Sequence, residues 1–405
     1  MTLKLENISC RFAILELLVI MIYFNPIADL FPSMIQIMLF FAWVFFSVHD
    51  TKLWGKAIPL VSISVFIFFV TLLRCIAANQ LNMDYYSTFQ VVIARYQFMV
   101  CPILFVYVSE LENEKKKHLF KVAMMSIFGT IMFSLYYILW VDPQAVRNTQ
   151  RDVHLWGVGD FMLMYAIAVI IGPLLLVIMQ RIKNKQKSLA LILLISAMVI
   201  CLVLCNLVTS VVIAALSIFV TYCVTRRQKI IYVVLAIILS IMIALRSVFA
   251  NLLYYIAAKN IFYWSTNNKI IAIANVLVGN MNNIDTLSRR FMLANWSLQS
   301  FKEHPFLGIN WKNHIYGKIG CHCQWADDLG RFGVIGNFVI IYNYIKIARY
   351  TVNYANSRLI KDSIISVWIM FAILGFLNPC LSGTLLMMMF VIVPTFDSLI
   401  GEENE

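Results

Sequence analysis

The sequence predicts an all-α polytopic membrane protein with about 12 transmembrane helices and one long extracytoplasmic loop that carries short helices. Apolar residues make up 61% of its 405 residues and charged residues only 13%, against about 45–50% and 25% in soluble domains. The apolar residues fall into runs close to the ~20 residues that a helix needs to cross a bilayer. Clusters of Lys and Arg recur between alternate runs.

Residues 1–246 form the N-terminal transmembrane region, with about nine runs of near-bilayer length. We place these spans at residues 11–24, 30–48, 53–73, 90–108, 119–141, 161–180, 188–205, 207–224 and 230–244. The C-terminal region, residues 333–405, holds further spans at residues 333–345, 363–377 and 381–400 before a short cytoplasmic tail. The first run lacks a small-residue cleavage site, so we interpret it as a retained span rather than a signal peptide.

The positive charges indicate the orientation. If the spans alternate, the basic residues of the short loops all fall on one side of the membrane. They are Lys4, Arg11, Lys52, Lys56, Lys115, Lys116, Lys117, Arg181, Lys183, Lys185, Lys187, Arg226, Arg227, Lys229, Lys346, Arg349, Arg358 and Lys361. Cytoplasmic loops are enriched in Lys and Arg. This side is therefore predicted to be cytoplasmic, with both termini inside.

The same topology leaves three outward segments, at residues 74–89, 142–160 and 247–332. In the long loop, residues 251–280 mix aromatic, basic and apolar residues, a composition typical of helices that lie in the membrane interface. A second helix is predicted from Asp285 or Ser288, which can cap it, until His304, Pro305 and Gly308 stop it. Function is expected to be assembled from these outward segments.

Two other classes of protein are disfavoured. Most of the nine cysteines lie inside apolar runs, where a thiol acts as a small hydrophobe, so no disulfide framework is predicted. The net charge of +12 is scattered over inter-helical loops rather than gathered on one soluble domain, so no nucleic-acid partner is expected. Cys321, His322 and Cys323 are too closely spaced for a usual zinc site, and no metal is predicted.

Polar chemistry gathers at the end of the long loop. His322 is followed by Cys323, nine residues, Gly333, two residues and Gly336. This spacing resembles the periplasmic signature of the O-antigen polymerase and O-antigen ligase superfamily. The family has Asn, Ser or Gln after the histidine, so Cys323 departs from the pattern.

The resemblance continues upstream of the histidine. In that superfamily an Arg-led helix that ends near a Pro and a Gly precedes the His element, and here Arg289, Arg290, Pro305 and Gly308 occur in that order. An Arg followed by three residues and a Leu is a pattern of the ligase branch, and Arg289 and Leu293 match it.

Other features are similar to the polymerase branch. An outward Arg and a following Gly before a middle span are familiar from polymerases, and Arg151 with Gly157 resembles them. Asp327, Arg331 and Gly333 resemble polymerase versions of the His element more than ligase versions.

The resemblance implies a glycosyltransferase in the inner membrane. It would transfer a glycan from an undecaprenyl pyrophosphate carrier to a sugar hydroxyl on the periplasmic face, without metal or other cofactor. The implied partners are the undecaprenyl-pyrophosphate-linked oligosaccharide and membrane lipids, with a chain-length regulator and a flippase as further candidates. The product would be the repeat-unit polymer of a surface polysaccharide, either O-antigen or capsule.

Each candidate residue has a chemical reason. A neutral imidazole has a pKa suited to removing a proton from the acceptor hydroxyl near pH 7, so His322 is the predicted base, and Asp327 is a candidate to orient it. Arg stays ionised and matches phosphate in a bidentate manner. The candidates to bind pyrophosphate or glycan are Arg289, Arg290, Arg151, Arg74 and Arg331. Gly333 and Gly336 permit close approach of another helix or a lipid chain.

Simpler interpretations stand beside these. His322 can be a packing or capping residue, the arginines can contact lipid headgroups, and the glycine pair can serve packing alone. Arg95, inside the apparent span 90–108, can snorkel or face a polar cavity. At the level of the whole protein, the alternatives are an O-antigen ligase that transfers polymer to the lipid A core, and a 12-span flippase or transporter. Transporters usually show internal repeats, and none is evident here.

Overall fold

The computed structural model describes residues 2–31, 34–77, 88–148, 155–226, 246–259, 264–278, 285–309, 318–355 and 357–400. All regular structure in these ranges is helical. The predicted span 230–244 and the candidate Arg151 lie outside them. The all-α fold class is thereby established for the described part of the chain.

The helices of the transmembrane regions occur in this order. They are α1 (Thr2–Tyr23), α2 (Asn25–Ala28), α3 (Met34–Ser47), α4 (Thr51–Ala77), α5 (Thr88–Ser109), α6 (Asn113–Trp140), α7 (Ala145–Asn148), α8 (Phe161–Lys183), α9 (Leu189–Leu204) and α10 (Val208–Arg226). The region of the long loop contributes α11 (Arg246–Ala258), α12 (Trp264–Leu277) and α13 (Asp285–Glu303). The C-terminal part contains α14 (Gln324–Tyr354), α15 (Arg358–Leu377) and α16 (Gly383–Met387).

Six of these helices are long and apolar enough to cross a membrane, namely α4, α5, α6, α8, α10 and α15. Shorter apolar helices lie at Met34–Ser47, Leu189–Leu204 and Gly383–Leu399. These helices indicate a membrane protein, since apolar surface on this scale is otherwise buried. The total of about 12 spans, which includes residues 230–244 outside the described ranges, stays a prediction.

The last predicted span, residues 381–400, is not one regular α-helix. After α16 the chain winds into a π-helix at Met388–Ile392 and then a 3₁₀-helix at Val393–Leu399. Pro394 lies at the start of the 3₁₀-helix. Proline has no N–H to donate and its ring clashes with the preceding turn, so the hydrogen-bond pattern changes where it enters. The segment is nevertheless almost wholly buried.

At one end of the bundle, the side chains of the basic loops contact the ends of neighbouring helices. Arg181 in the last turn of α8 donates to the Leu399 carbonyl at 2.5 Å. Arg358, which begins α15, donates to the carbonyl of Thr225 near the end of α10 at 3.4 Å. Lys56, near the start of α4, pairs with Glu110 just after α5. The predicted cytoplasmic loops therefore meet at one end, which we call the basic end.

Contacts at the other end of the bundle join the predicted outward segments. Asn206, between α9 and α10, donates to the Pro143 carbonyl at 2.9 Å. The Gly157 N–H donates to Asp29 at 2.7 Å. The basic loops and the outward segments therefore lie at opposite ends of the helices, as the alternation of basic loops predicts. Which end faces the cytoplasm stays a prediction.

Thiol labelling tests the orientation. In variants that keep one cysteine, exposed Cys10 on α1 should react with a membrane-impermeant maleimide only after lysis, because it lies next to Arg11, one of the basic residues predicted to be cytoplasmic. A cysteine at exposed Lys302 on α13 should react in intact spheroplasts. Labelling of the two positions in the reverse order would invert the topology and place the His322 region inside the cell.

Candidate functional site

Helix α14 breaks at Gly333. This glycine has φ 64° and ψ −171° inside an otherwise helical segment, a conformation that favours glycine. The break leaves the first N–H groups of the second part, residues 334–354, without helical partners. The carbonyls of Pro305 and Phe306 accept from Val334 N and Ile335 N at 2.8 and 3.2 Å. Residues 305–309, which we call the strap, therefore cap the second half of α14.

The strap and the break fit together through two glycines. A Cβ on Gly333 would lie 2.4 Å from the carbonyl carbon of Phe306, and a Cβ on Gly308, at φ 75°, would lie 2.2 Å from the Arg331 carbonyl oxygen. Ile309 N also donates to the Gly330 carbonyl at 3.0 Å. The close approach at Gly333 is thus made by the strap backbone, whereas the sequence suggested a neighbouring helix or lipid chain.

The predicted partner glycine, Gly336, has a more local environment. It is half-buried, and a Cβ there would lie 2.6 Å from the Cβ of Phe332 on the same helix. Because the break draws residues 332 and 336 together, this glycine relieves crowding within α14.

Arg74 lies in the last turn of α4 and meets the same break. Its guanidinium donates to the Arg331 carbonyl at 3.2 Å and to the Leu307 carbonyl at 3.0 Å. The Arg331 carbonyl belongs to backbone that the break removes from regular helix, and the Leu307 carbonyl belongs to the strap. Arg74 therefore joins α4 to the strap and to the end of residues 324–332. Its predicted role in pyrophosphate binding stays a prediction.

His322 lies on a tight turn, residues 320–323, which we call the His turn. The residue before it, Cys321, has φ 55°, a conformation that costs a non-glycine residue about 1–3 kcal/mol. His322 Nδ1 lies 2.8 Å from the Cys321 carbonyl oxygen. A carbonyl only accepts, so in this contact Nδ1 carries the hydrogen and a neutral ring has its lone pair on Nε2. The half-buried ring thus has the tautomer that a base acting through Nε2 requires.

Asp327 fixes the His turn through its backbone. Its carboxylate accepts from Ser297 Oγ at 2.6 Å, from Cys321 N at 3.2 Å and from Cys323 N at 3.3 Å. These two N–H groups flank His322. Burial raises the pKa of Asp327, although Arg331 and the Ser297 hydroxyl act in the opposite direction. The sequence proposed that Asp327 orients His322, and in the structure its hydrogen bonds hold the two neighbouring peptide groups.

We predict that Asp327→Asn lowers turnover at this site by about tenfold while the protein still folds. The amide NH₂ cannot accept from the second backbone N–H, and a buried donor left unpaired costs about 1–3 kcal/mol. Transferase assays on detergent-purified protein check this prediction, with thermal stability measured in parallel. Asp327→Glu is a charge-retaining comparison that should also be impaired, since the longer side chain changes the reach to Ser297. Wild-type turnover of Asp327→Asn would contradict the positioning role.

One face of α13 supports the His turn. A Cβ on Gly320 would lie 2.1 Å from the Leu293 carbonyl oxygen, and the Ser297 hydroxyl also accepts from Gly320 N at 2.9 Å. Ser300 Oγ donates to the Lys318 carbonyl at 2.6 Å. Residues 293, 297 and 300 lie on one face because a helix turns every 3.6 residues. Ser297 was not recognised from the sequence, where a serine in an amphipathic helix carries no distinguishing signal.

Arg290 lies on the same face of α13, three residues before Leu293. It interacts with the hydroxyl of Tyr165 in α8, which also meets Thr209 at the start of α10. Along the helix axis half-exposed Arg290 is about 10 Å from Ser297, the residue that bonds the His turn. The Arg289 side chain, like all of Arg151, lies outside what the structure describes.

Arg331 is the second charge next to the turn. It is buried, and its guanidinium donates to Cys321 Sγ at 3.2 Å. It also acts on the Asp327 carboxylate. These contacts make Arg331 part of the support of the His turn, and its predicted contact with substrate stays a prediction.

A buried ion pair connects the site to the bundle. Arg95 in α5 donates to Asp328 Oδ1 at 2.5 Å, and the two side chains are 3% and 0% exposed. Arg95 also donates to the Tyr344 hydroxyl at 2.7 Å, and Gln324 donates to Asp328 at 3.1 Å. The charge inside span 90–108 was visible in the sequence. The sequence did not show that Asp328 is its partner.

Comparison with protein-family models, with curated proteins and with solved structures finds no match to this chain. Within the described residues no group of three His, Cys, Asp or Glu side chains is placed to hold a metal ion. The site is therefore characterised by its own geometry: a histidine turn, two aspartates that point in different directions, and arginines from α4, α5, α13 and α14.

Proposed function

We propose that this protein polymerises lipid-linked oligosaccharide repeat units of a surface polysaccharide, on the outer face of the inner membrane. The main observation in support is the shared position of His322 and Arg290. Arg290 lies on the face of α13 that also holds the His turn through Gly320, at the end of the bundle opposite the basic end. A base and a phosphate-binding cation are the two groups that transfer from a lipid pyrophosphate needs. The spacing of His322, Gly333 and Gly336 supports the same proposal.

In the proposed reaction, His322 Nε2 takes the proton of an acceptor sugar hydroxyl. That oxygen forms a bond to the anomeric carbon of the donor glycan. The bond from this carbon to the pyrophosphate oxygen breaks, and its electron pair leaves with the lipid pyrophosphate. One displacement inverts the anomeric centre. Arg290 neutralises charge that grows on the leaving group, where scarce water makes the interaction strong.

We predict that Arg290→Lys lowers transfer activity by about 10- to 100-fold. Lysine keeps the positive charge and loses the bidentate fork that matches phosphate. The measurement is initial rate against concentration of the lipid-linked donor. The matched control is Lys302→Arg, which exchanges the same two residue types at an exposed position of α13. It should leave the rate unchanged. Full activity of Arg290→Lys would place pyrophosphate binding elsewhere.

The products of a deletion strain test the proposed function. Loss of a polymerase should still permit one repeat unit on the lipid A core, whereas loss of a ligase should leave bare core and long lipid-linked polymer. For a capsule, the chain length of the lipid-linked pool replaces the core assay. Purified protein should extend lipid-pyrophosphate-linked units in chelator and without nucleotide sugar. Bare core with accumulated polymer would favour the ligase alternative.

A transporter or flippase is the second candidate. The observation that favours it is the ion pair of Arg95 and Asp328, because charges at membrane depth often mark substrate pathways. Arg95 lies about 10 Å along the axis from the first residue of α5. For a flippase, the deletion strain should trap single lipid-linked units on the cytoplasmic face, and purified protein should form no glycosidic bond.

A further inference from the structure

We infer that Arg95 is a positioning residue for His322 and acts through Asp328. The effect of Arg95 on catalysis rests on the proposed function, whereas the contacts that position the His turn do not depend on it. The pair joins α5, in the core of the bundle, to residues 324–332 of α14. Those residues lead directly from the His turn to the break at Gly333.

The break makes residues 324–332 a separate short helix. A continuous helix would fix their position from residues 334–354, but Gly333, at ψ −171°, removes that rigid connection. Their place relative to the bundle is therefore set by contacts with the strap, with Arg74 and with Arg95. Asp327 and Asp328 are consecutive, so their side chains diverge by about 100° around the helix. Asp327 reaches the His turn and Ser297, while Asp328 reaches Arg95.

Arg95 is held firmly enough to serve as a reference point. Its second terminal nitrogen donates to the Tyr344 hydroxyl at 2.7 Å, and its guanidinium lies 5.3 Å from the centre of the Phe332 ring. Tyr344 in turn packs against Phe98 and Phe371 at ring-centre distances of 4.9 and 5.6 Å. These contacts involve both halves of α14, so one guanidinium aligns them across the break.

Stability alone does not account for the pair. Well-packed apolar residues often replace a buried ion pair without loss of stability. Here the pairing is also incomplete, since Asp328 Oδ2 and Arg95 Nε are buried and have no hydrogen-bond partner among the described residues. What the pair supplies is a defined separation and direction between α5 and the helix that carries the His turn.

The test is the double variant Arg95→Met with Asp328→Leu, which removes both charges and leaves neither unpaired. We expect folding close to wild type by thermal unfolding in detergent, and kcat about 10²-fold lower, as a misplacement near 1 Å can cause. KM for the lipid-linked donor should be unchanged. Wild-type kcat in a folded double variant would overturn the inference.

A second readout is independent of catalysis. With Cys323 as the only cysteine, its half-buried thiol should react with a small maleimide at least threefold faster in the double variant, since the helix that carries the His turn loses its contact with α5. If the labelling rate rises while the wild-type protein shows no transferase activity, the proposed function fails and the positioning inference stands. An unchanged labelling rate overturns the inference.

Two further variants make the test specific. Arg95→Lys keeps the ion pair and cannot reach both Asp328 and Tyr344, so it should fold and show an intermediate kcat. Asn343→Leu removes a buried hydrogen bond to Ser64 at 2.8 Å, on the part of α14 beyond the break. It should leave labelling and kcat unchanged. An effect of Asn343→Leu equal to that of the double variant would assign the result to α14 as a whole and overturn the role of Arg95.

Discussion

Replacement of His322 by alanine should lower turnover by about 10²–10⁴-fold, the usual contribution of a general base. The structure indicates which ring nitrogen of His322 would act as the base. Nδ1 meets the Cys321 carbonyl oxygen at 2.8 Å, which leaves Nε2 to accept the proton of the acceptor hydroxyl. Because Asp327 holds the backbone of the His turn and does not bond the ring, loss of the imidazole should leave the turn intact. The measurement is initial rate of transfer by purified protein.

Cys323→Ser is the matched control for His322→Ala. Cys323 is the N-cap residue of α14 and makes no side-chain capping hydrogen bond, whereas serine is a favoured N-cap. This variant should keep wild-type activity and equal or higher thermal stability. Rescue by added imidazole would support the assignment further. Near-normal transfer by well-expressed His322→Ala protein would remove His322 from the chemistry.

Gly333→Ala should be the most damaging change to the fold near the site. The new Cβ would lie 2.4 Å from the carbonyl carbon and oxygen of Phe306 and 2.6 Å from Gly308 N. These are backbone atoms, so no side-chain rotation relieves the contact. The positive φ adds strain of about 1–3 kcal/mol. We expect displacement of the strap, loss of several degrees in Tm and loss of activity.

Gly55→Ala provides the comparison for Gly333→Ala. Gly55 lies in α4, and a Cβ there meets nothing within 4 Å. Alanine is favoured over glycine inside a helix by about 0.5–1 kcal/mol, so this variant should be as stable as wild type or more stable. The measurement is the Tm of both variants in the same detergent. Equal Tm values for Gly333→Ala and wild type would show that the strap does not depend on the break.

The sequence alone predicted the features that depend on local pattern. Apolar runs and basic loops predicted a helical membrane protein, because hydrophobic length and charge bias act within single segments. The end of α13 before His304 followed from the Pro and Gly that come after it. The spacing around His322 directed attention to the turn at residues 320–323, and Arg95 was recognisable as a charge inside an apolar run.

Only the tertiary structure decided which of these groups meet. Asp327 and Asp328 are neighbours in sequence, yet one holds the His turn and the other pairs with Arg95, 233 residues away in the chain. Their directions follow from which surfaces pack against α14, and this is not a local property. The same holds for Gly333, since its conformation is set by a strap that approaches from residues 305–309. Local pattern fixes where helices begin and which chemistry they carry, whereas long-range packing fixes what each side chain can reach.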